Sequence, residues 1–94
     1  DADKVICTIY KKYLSLRKNN IPKSKAVVFS FKTINELFDN QNITSELSEL
    51  HNVKLIQLFI DDEFELTTNG IIYMENRFKN KLNEVISYLE KLKP

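Results

Sequence analysis

Residues 42–70, NITSELSELHNVKLIQLFIDDEFELTTNG, leave this chain few folds to choose from. Ile43, Leu47 and Leu50 stand four and three apart, so they share one face of a short helix. An apolar run over residues 55–60 follows at once and reads as a strand. Asp61-Asp62-Glu63 then forms a tight acidic turn, and Phe64-Glu65-Leu66-Thr67 reads as the returning strand. One helix and one hairpin in so short a span point to an α+β domain.

The flanking segments supply more helices. Val5, Ile6, Ile9, Tyr10, Tyr13 and Leu14 recur at three- and four-residue steps and predict a first helix over residues 4–18. Asp1 or Asp3 suits its N-terminal end, and Lys11, Lys12, Arg17 and Lys18 suit its C-terminal half. Asn19-Asn20 and Pro22 stop it. Residues 26–31, AVVFSF, fit two patterns: branched and aromatic residues favour a strand, yet Val27, Phe31, Ile34 and Phe38 keep helical spacing. Asp39-Asn40-Gln41-Asn42 is a turn, and Asn42 caps the helix at residues 43–51.

Asn69-Gly70 is a hairpin signal by itself. Here, however, Ile71, Met74, Phe78, Leu82, Val85, Leu89 and Leu92 continue in helical steps. Thr67 or Thr68 is therefore expected to cap a single long helix over residues 68–92, with Gly70 in its first turn. Two surfaces can cover the far apolar side of that helix: the first helix of the same chain, or the same helix of a second copy.

The pattern I-x3-L-x2-L-x4-L-I followed by E-L-T-x2-G resembles the second half of a winged helix-turn-helix, as in the MarR-like and PadR-like bacterial regulators, over about half the chain. The resemblance implies a short three-stranded sheet, a wing and a long C-terminal helix. It decides residues 26–31 in favour of a short strand at 26–29, then a helix at 31–39 capped by Ser30. Ile9, Ile34, Leu37, Leu47, Leu50 and Leu58 are then expected in the core. It also implies a winged-helix domain over residues 1–75, with residues 76–94 as a dimerisation segment built on Phe78, Leu82, Val85, Leu89 and Leu92. The function it implies is double-stranded DNA binding by a homodimer in transcription regulation. Thr44, Ser45, Ser48 and Glu49 would face the groove with Asn40, Gln41 and Asn42, and Lys23, Lys25 and Lys32 would grip phosphate. A winged helix that docks on protein and binds no DNA is the competing expectation. It is favoured by Glu46 and Glu49 on the recognition helix and by an acidic wing, since acids repel phosphate.

Composition excludes much else. The net charge of +1, from 14 basic and 13 acidic residues, gives no global attraction to nucleic acid. A 94-residue chain buries only roughly 60–65% of its unfolded surface, enough for one small core. No apolar stretch has the length of a membrane span. The lone Cys7 allows no internal disulfide, which suits a cytoplasmic setting. It reads as a packing residue, with a redox or ligand-sensing thiol as the alternative. His51 has no second histidine at ligand spacing, so no metal is expected, and it is placed to meet the last carbonyls of its helix. The acidic turn lacks the ligand set and glycine of a calcium loop. No phosphate-binding loop, nucleophile elbow or Cys-x2-Cys is present, so neither catalysis nor a cofactor is expected.

Overall fold

The computed structural model describes residues 1–79 and 82–92. Helix α1, Ala2–Lys18, begins where Asp1 Oδ1 accepts the Lys4 N–H at 2.9 Å and buries Val5, Ile6, Cys7, Ile9, Tyr10 and Tyr13. It ends at Asn19, and Asn20 turns the chain with a positive φ of 66°. The Pro22 carbonyl then accepts the Lys25 and Ala26 N–H groups, which winds the one-turn helix α2, Lys23–Ala26. That turn claims Ala26, so strand β1 is Val28–Ser30 and not residues 26–29.

Ser30 caps α3, Phe31–Leu37, as expected: its hydroxyl oxygen accepts the Thr33 N–H at 3.2 Å. The helix stops two residues early. Leu37 is 42% exposed, and Phe38 packs partly on the core instead, which corrects the expectation for Leu37. Asp39 and Asn40 both take left-handed φ values of 53° and 61°, which Asp and Asn tolerate best among residues with a Cβ. Helix α4, Thr44–Asn52, starts one residue later than predicted, so its N-cap is Ile43, without a side-chain cap, and not Asn42, whose Oδ1 accepts the Thr44 N–H at 3.0 Å from one residue further out.

Strands β2, Ile56–Leu58, and β3, Glu63–Leu66, form the hairpin. The sheet is antiparallel with order β1-β3-β2, pairing Phe29 with Phe64 and Ile56 with Leu66. These four side chains are buried, and the Phe29 and Phe64 rings stack at 5.5 Å. Ile9, Ile34, Leu47 and Leu50 join them in the core as predicted, while Leu58 is half-buried against it.

The α5 helix, Thr68–Arg77, has the predicted start. Thr67 Oγ1 accepts the Gly70 N–H at 2.9 Å. The same hydroxyl donates to the junction between α4 and β2, through the Lys54 carbonyl at 2.7 Å or the Leu55 carbonyl at 2.9 Å. Gly70 lies so close to that junction that an added Cβ would stand 2.2 Å from the Leu55 carbonyl oxygen.

The expected single helix over 68–92 is two helices. The backbone of Phe78 leaves helical geometry at φ −120°, ψ 81°, and α6, Leu82–Lys91, packs back on α1. Residues 80, 81, 93 and 94 of the expected segment lie outside the described residues. The break has a visible cause in the contacts on either side. Arg77 pairs with Asp3 through both terminal guanidinium nitrogens, Nη1 and Nη2, the Nη2–Oδ2 contact being 3.0 Å. Tyr88 of α6 donates its hydroxyl to the same carboxylate at 2.5 Å. The guanidinium also lies over the Phe78 and Tyr88 rings at 4.9 and 4.6 Å. Three helices thus meet on one carboxylate. Among the described residues, no helix is long and apolar enough to cross a membrane.

This packing can be tested at two positions. Gly70→Ala gains the helix propensity of alanine, about 1 kcal/mol, but must displace the Leu55 carbonyl. The net result is a loss of about 1–3 kcal/mol in denaturant unfolding; a stabilised variant would refute the close approach. The second position is Asp3, whose carboxyl is held below the usual carboxylate range chiefly by the hydrogen bonds from Arg77. Because its folded value is depressed, its contribution is complete above the unfolded value of about 3.9 and is lost as pH falls through the folded value. Asp3→Asn should lower the melting temperature at neutral pH, and the gap to the parent should close in acid.

Candidate functional site

The outward side of α4 is polar, while in the turn before it Asn40 lines a hollow beside the hairpin turn and Gln41 lines a groove against α1. Asn40, Gln41, Asn42, Thr44, Ser45, Ser48 and Glu49 are all exposed, and the inward residues Ile43, Leu47 and Leu50 are buried, as the spacing required. The hairpin is tied to the helices at two points. The Phe31 N–H donates to the Asp62 carbonyl at 2.9 Å, which fixes the hairpin turn to the start of α3. The Leu58 N–H donates to His51 Nδ1 at 3.3 Å, which fixes β2 to the end of α4. His51 therefore accepts from a strand instead of meeting its own helix's carbonyls, and this bond needs Nδ1 without a proton.

The three lysines expected to grip phosphate are exposed, but their surroundings differ. Lys23 and Lys25 lie on α2, and Lys23 shares a shallow surface hollow with Glu65. Lys32 opens α3 beside a depression of about 790 Å³ that Glu36, Asp61, Asp62 and Glu63 also line. An anion approaching Lys32 meets these carboxylates too. The structure thus joins the end of α4 to the hairpin through His51 and sets Lys32 in an acidic neighbourhood.

The charge of the chain is divided along its length. Residues 31–66, which build α3, α4 and the hairpin, carry eight acids against Lys32 and Lys54. Residues 1–30, which build α1, α2 and β1, carry seven basic residues against Asp1 and Asp3. The overall charge of +1 hides this division.

Sequence reasoning also missed the hairpin tip. Strand β2 stops at Leu58, because the Phe59 N–H bonds back to the Glu63 carbonyl at 2.9 Å and closes the loop over residues 59–62. Phe59 is 41% exposed and Ile60 fully so, at 104%. The run over residues 55–60 looked like one continuous strand. The paired aspartates after it were the signal that the turn begins earlier.

The residues expected to form a dimer seam divide. Phe78 and Val85 are buried within the chain, Leu82 and Leu89 are half-buried against its core, and Leu92 is 40% exposed. Cys7 is fully buried, and burial pushes its thiol up to about 11. Tyr10 is buried too; desolvation pushes its phenol up to about 12, and its hydroxyl has no hydrogen-bond partner among the described residues. Among the described residues no group of histidine, cysteine and carboxylate side chains is arranged to hold a metal ion. The chain matches no family model, and no curated protein or solved structure aligns with it.

Proposed function

We propose that this chain is a winged-helix interaction module whose α4–hairpin face recognises a basic protein surface. The order α1, the one-turn α2, β1, α3, α4 and the β2–β3 hairpin, with sheet order β1-β3-β2, supports the winged-helix assignment. In that reading α4 is the recognition helix and the β2–β3 hairpin the wing. The observation that carries the choice of partner is the acidic character of these elements: residues 44–66 carry Glu46, Glu49, Asp61, Asp62, Glu63 and Glu65 against the single lysine Lys54. A DNA-binding face of this kind is expected to displace counterions with Lys and Arg, and each carboxylate near phosphate works against it. The same carboxylates attract lysine and arginine on a protein partner and steer its approach.

DNA binding by a dimeric regulator stands as the second reading. It is favoured by the exposure of Thr44, Ser45 and Ser48 on one side of α4, where short hydroxyl side chains suit base edges and phosphates. Lys23 and Lys25 on α2 would then supply the phosphate contacts.

Backbone amide NMR at low salt separates the two. A lysine-rich peptide should shift the resonances of Ser45, Ser48 and Glu49, while a mixed-sequence duplex should leave them unchanged up to about 10⁻⁴ M, the weak end of non-specific affinity. Shifts with the duplex that disappear on Lys23→Ala with Lys25→Ala would reverse the assignment.

A further inference from the structure

The acidic, apolar-tipped hairpin has a complementary groove on the same chain. That groove, of about 290 Å³, runs between α1, the end of α3 and α6. Lys4, Thr8 and Lys11 of α1 form one wall, spaced four and three apart on a single helix face. Leu37, Phe38 and Leu89 supply apolar surface, and one carboxylate, Asp39, also lines it. Leu37 is 42% exposed there, an open leucine in a groove that two lysines also line. The ammonium groups of Lys4 and Lys11 make no ion pair among the described residues, nor do the carboxylates of Asp61 and Asp62.

We propose that the hairpin tip, Ile60-Asp61-Asp62, of one copy docks in the Lys4–Lys11–Leu37 groove of a second copy. The chemistry matches in order. Ile60, with no cover of its own, would meet Leu37, Phe38 and Leu89, and the two aspartates after it would meet the two lysines. Lys4 and Lys11 stand about 10 Å apart along the helix, a spacing that their flexible stems can narrow toward neighbouring carboxylates. Within one chain the tip does not occupy this groove: no hairpin residue lines it, and Ile60 is fully exposed. The contact therefore joins two different patches. It closes as a dimer if two copies exchange tips, and otherwise extends into longer chains. This inference rests on the acidic-face reading and gives that face its partner: the basic α1 side of another copy.

Light scattering and sedimentation on the whole chain test it. At low salt the mass should rise with concentration, and 1 M salt, where the screening length is about 3 Å, should weaken association about tenfold or more. Two variants reverse the contact: Asp61→Lys with Asp62→Asn at the tip, and Lys4→Glu with Lys11→Glu in the groove. Asn is chosen because Asp62 holds a left-handed φ of 61° that Asn tolerates. Each variant alone should stay monomeric, and an equal mixture of the two should associate again. Ile60→Ser, at a fully exposed position that folding does not need, should weaken association without changing the circular-dichroism spectrum. A parent chain that is monomeric at every concentration overturns the proposal. So does association that survives both reversals, particularly if Leu92→Lys then abolishes it. If the parent is monomeric but the lysine-rich peptide still shifts Ser48 and Glu49, the second-copy contact alone has failed. If neither occurs, the acidic-face reading fails with it.

Discussion

The carbonyl oxygen of Leu55 is the point on which four elements converge. Leu55 follows directly from α4, where its own N–H bonds to the Leu50 carbonyl at 3.0 Å, and it leads into β2. Its carbonyl receives the Thr67 N–H at 3.1 Å, just beyond the end of β3. The Thr67 hydroxyl reaches the same junction, and Gly70 of α5 rests directly against it. A helix end, both strands of the hairpin and the next helix start are thus held at the backbone of one residue. Only the residue without a Cβ permits that approach. This explains why the chain places its single glycine inside a helix, where glycine is otherwise unfavourable. Its tight left-handed turns fall instead to Asn20, Asp39, Asn40, Lys54 and Asp62.

With the hairpin and α5 fixed there, the Asp3–Arg77–Tyr88 cluster determines where the rest of the chain goes. An isolated ion pair at the surface contributes little to stability. This one is better constructed than most, because it is bidentate and the guanidinium is covered by two rings. Its main effect is on direction. It turns the chain at Phe78 so that Val85 is buried in the common core and α6 lies on α1.

Much of this was legible in the sequence, for local reasons. Ser30 before α3 and Thr67 before α5 are short hydroxyl side chains at a change of period, and both act as caps. Ile43, Leu47 and Leu50 kept a spacing that only a helix buries. The break at Phe78 could not be read in the same way, because no proline or glycine marks it and the apolar steps run straight through. It arises from the pairing of Arg77 with Asp3, which lies 74 residues away in the chain. Leu37 and Phe38 are neighbours of equal apolar character, and where α3 unwinds decides which of them faces inward. The polar side of α4 and the acids on it were legible, whereas the gathering of Glu36, Asp61, Asp62 and Glu63 beside Lys32 was not, because those residues are far apart in the chain.

The buried thiol gives this fold an internal clock. Cys7 lies on the face of α1 that the rest of the molecule covers, and its proton is held more tightly than in a free cysteine. An alkylating reagent needs the thiolate and a path to it, and the closed molecule offers neither. Labelling must wait for α1 to lift away or for the whole chain to open. With only one cysteine in the sequence, the rate of modification then reports the population of the states that expose this one position. Substitutions along the shared carboxylate, at the Leu55 carbonyl or in the apolar core can be ranked on that one scale by whether they bring the thiol into solvent through a local or a global route.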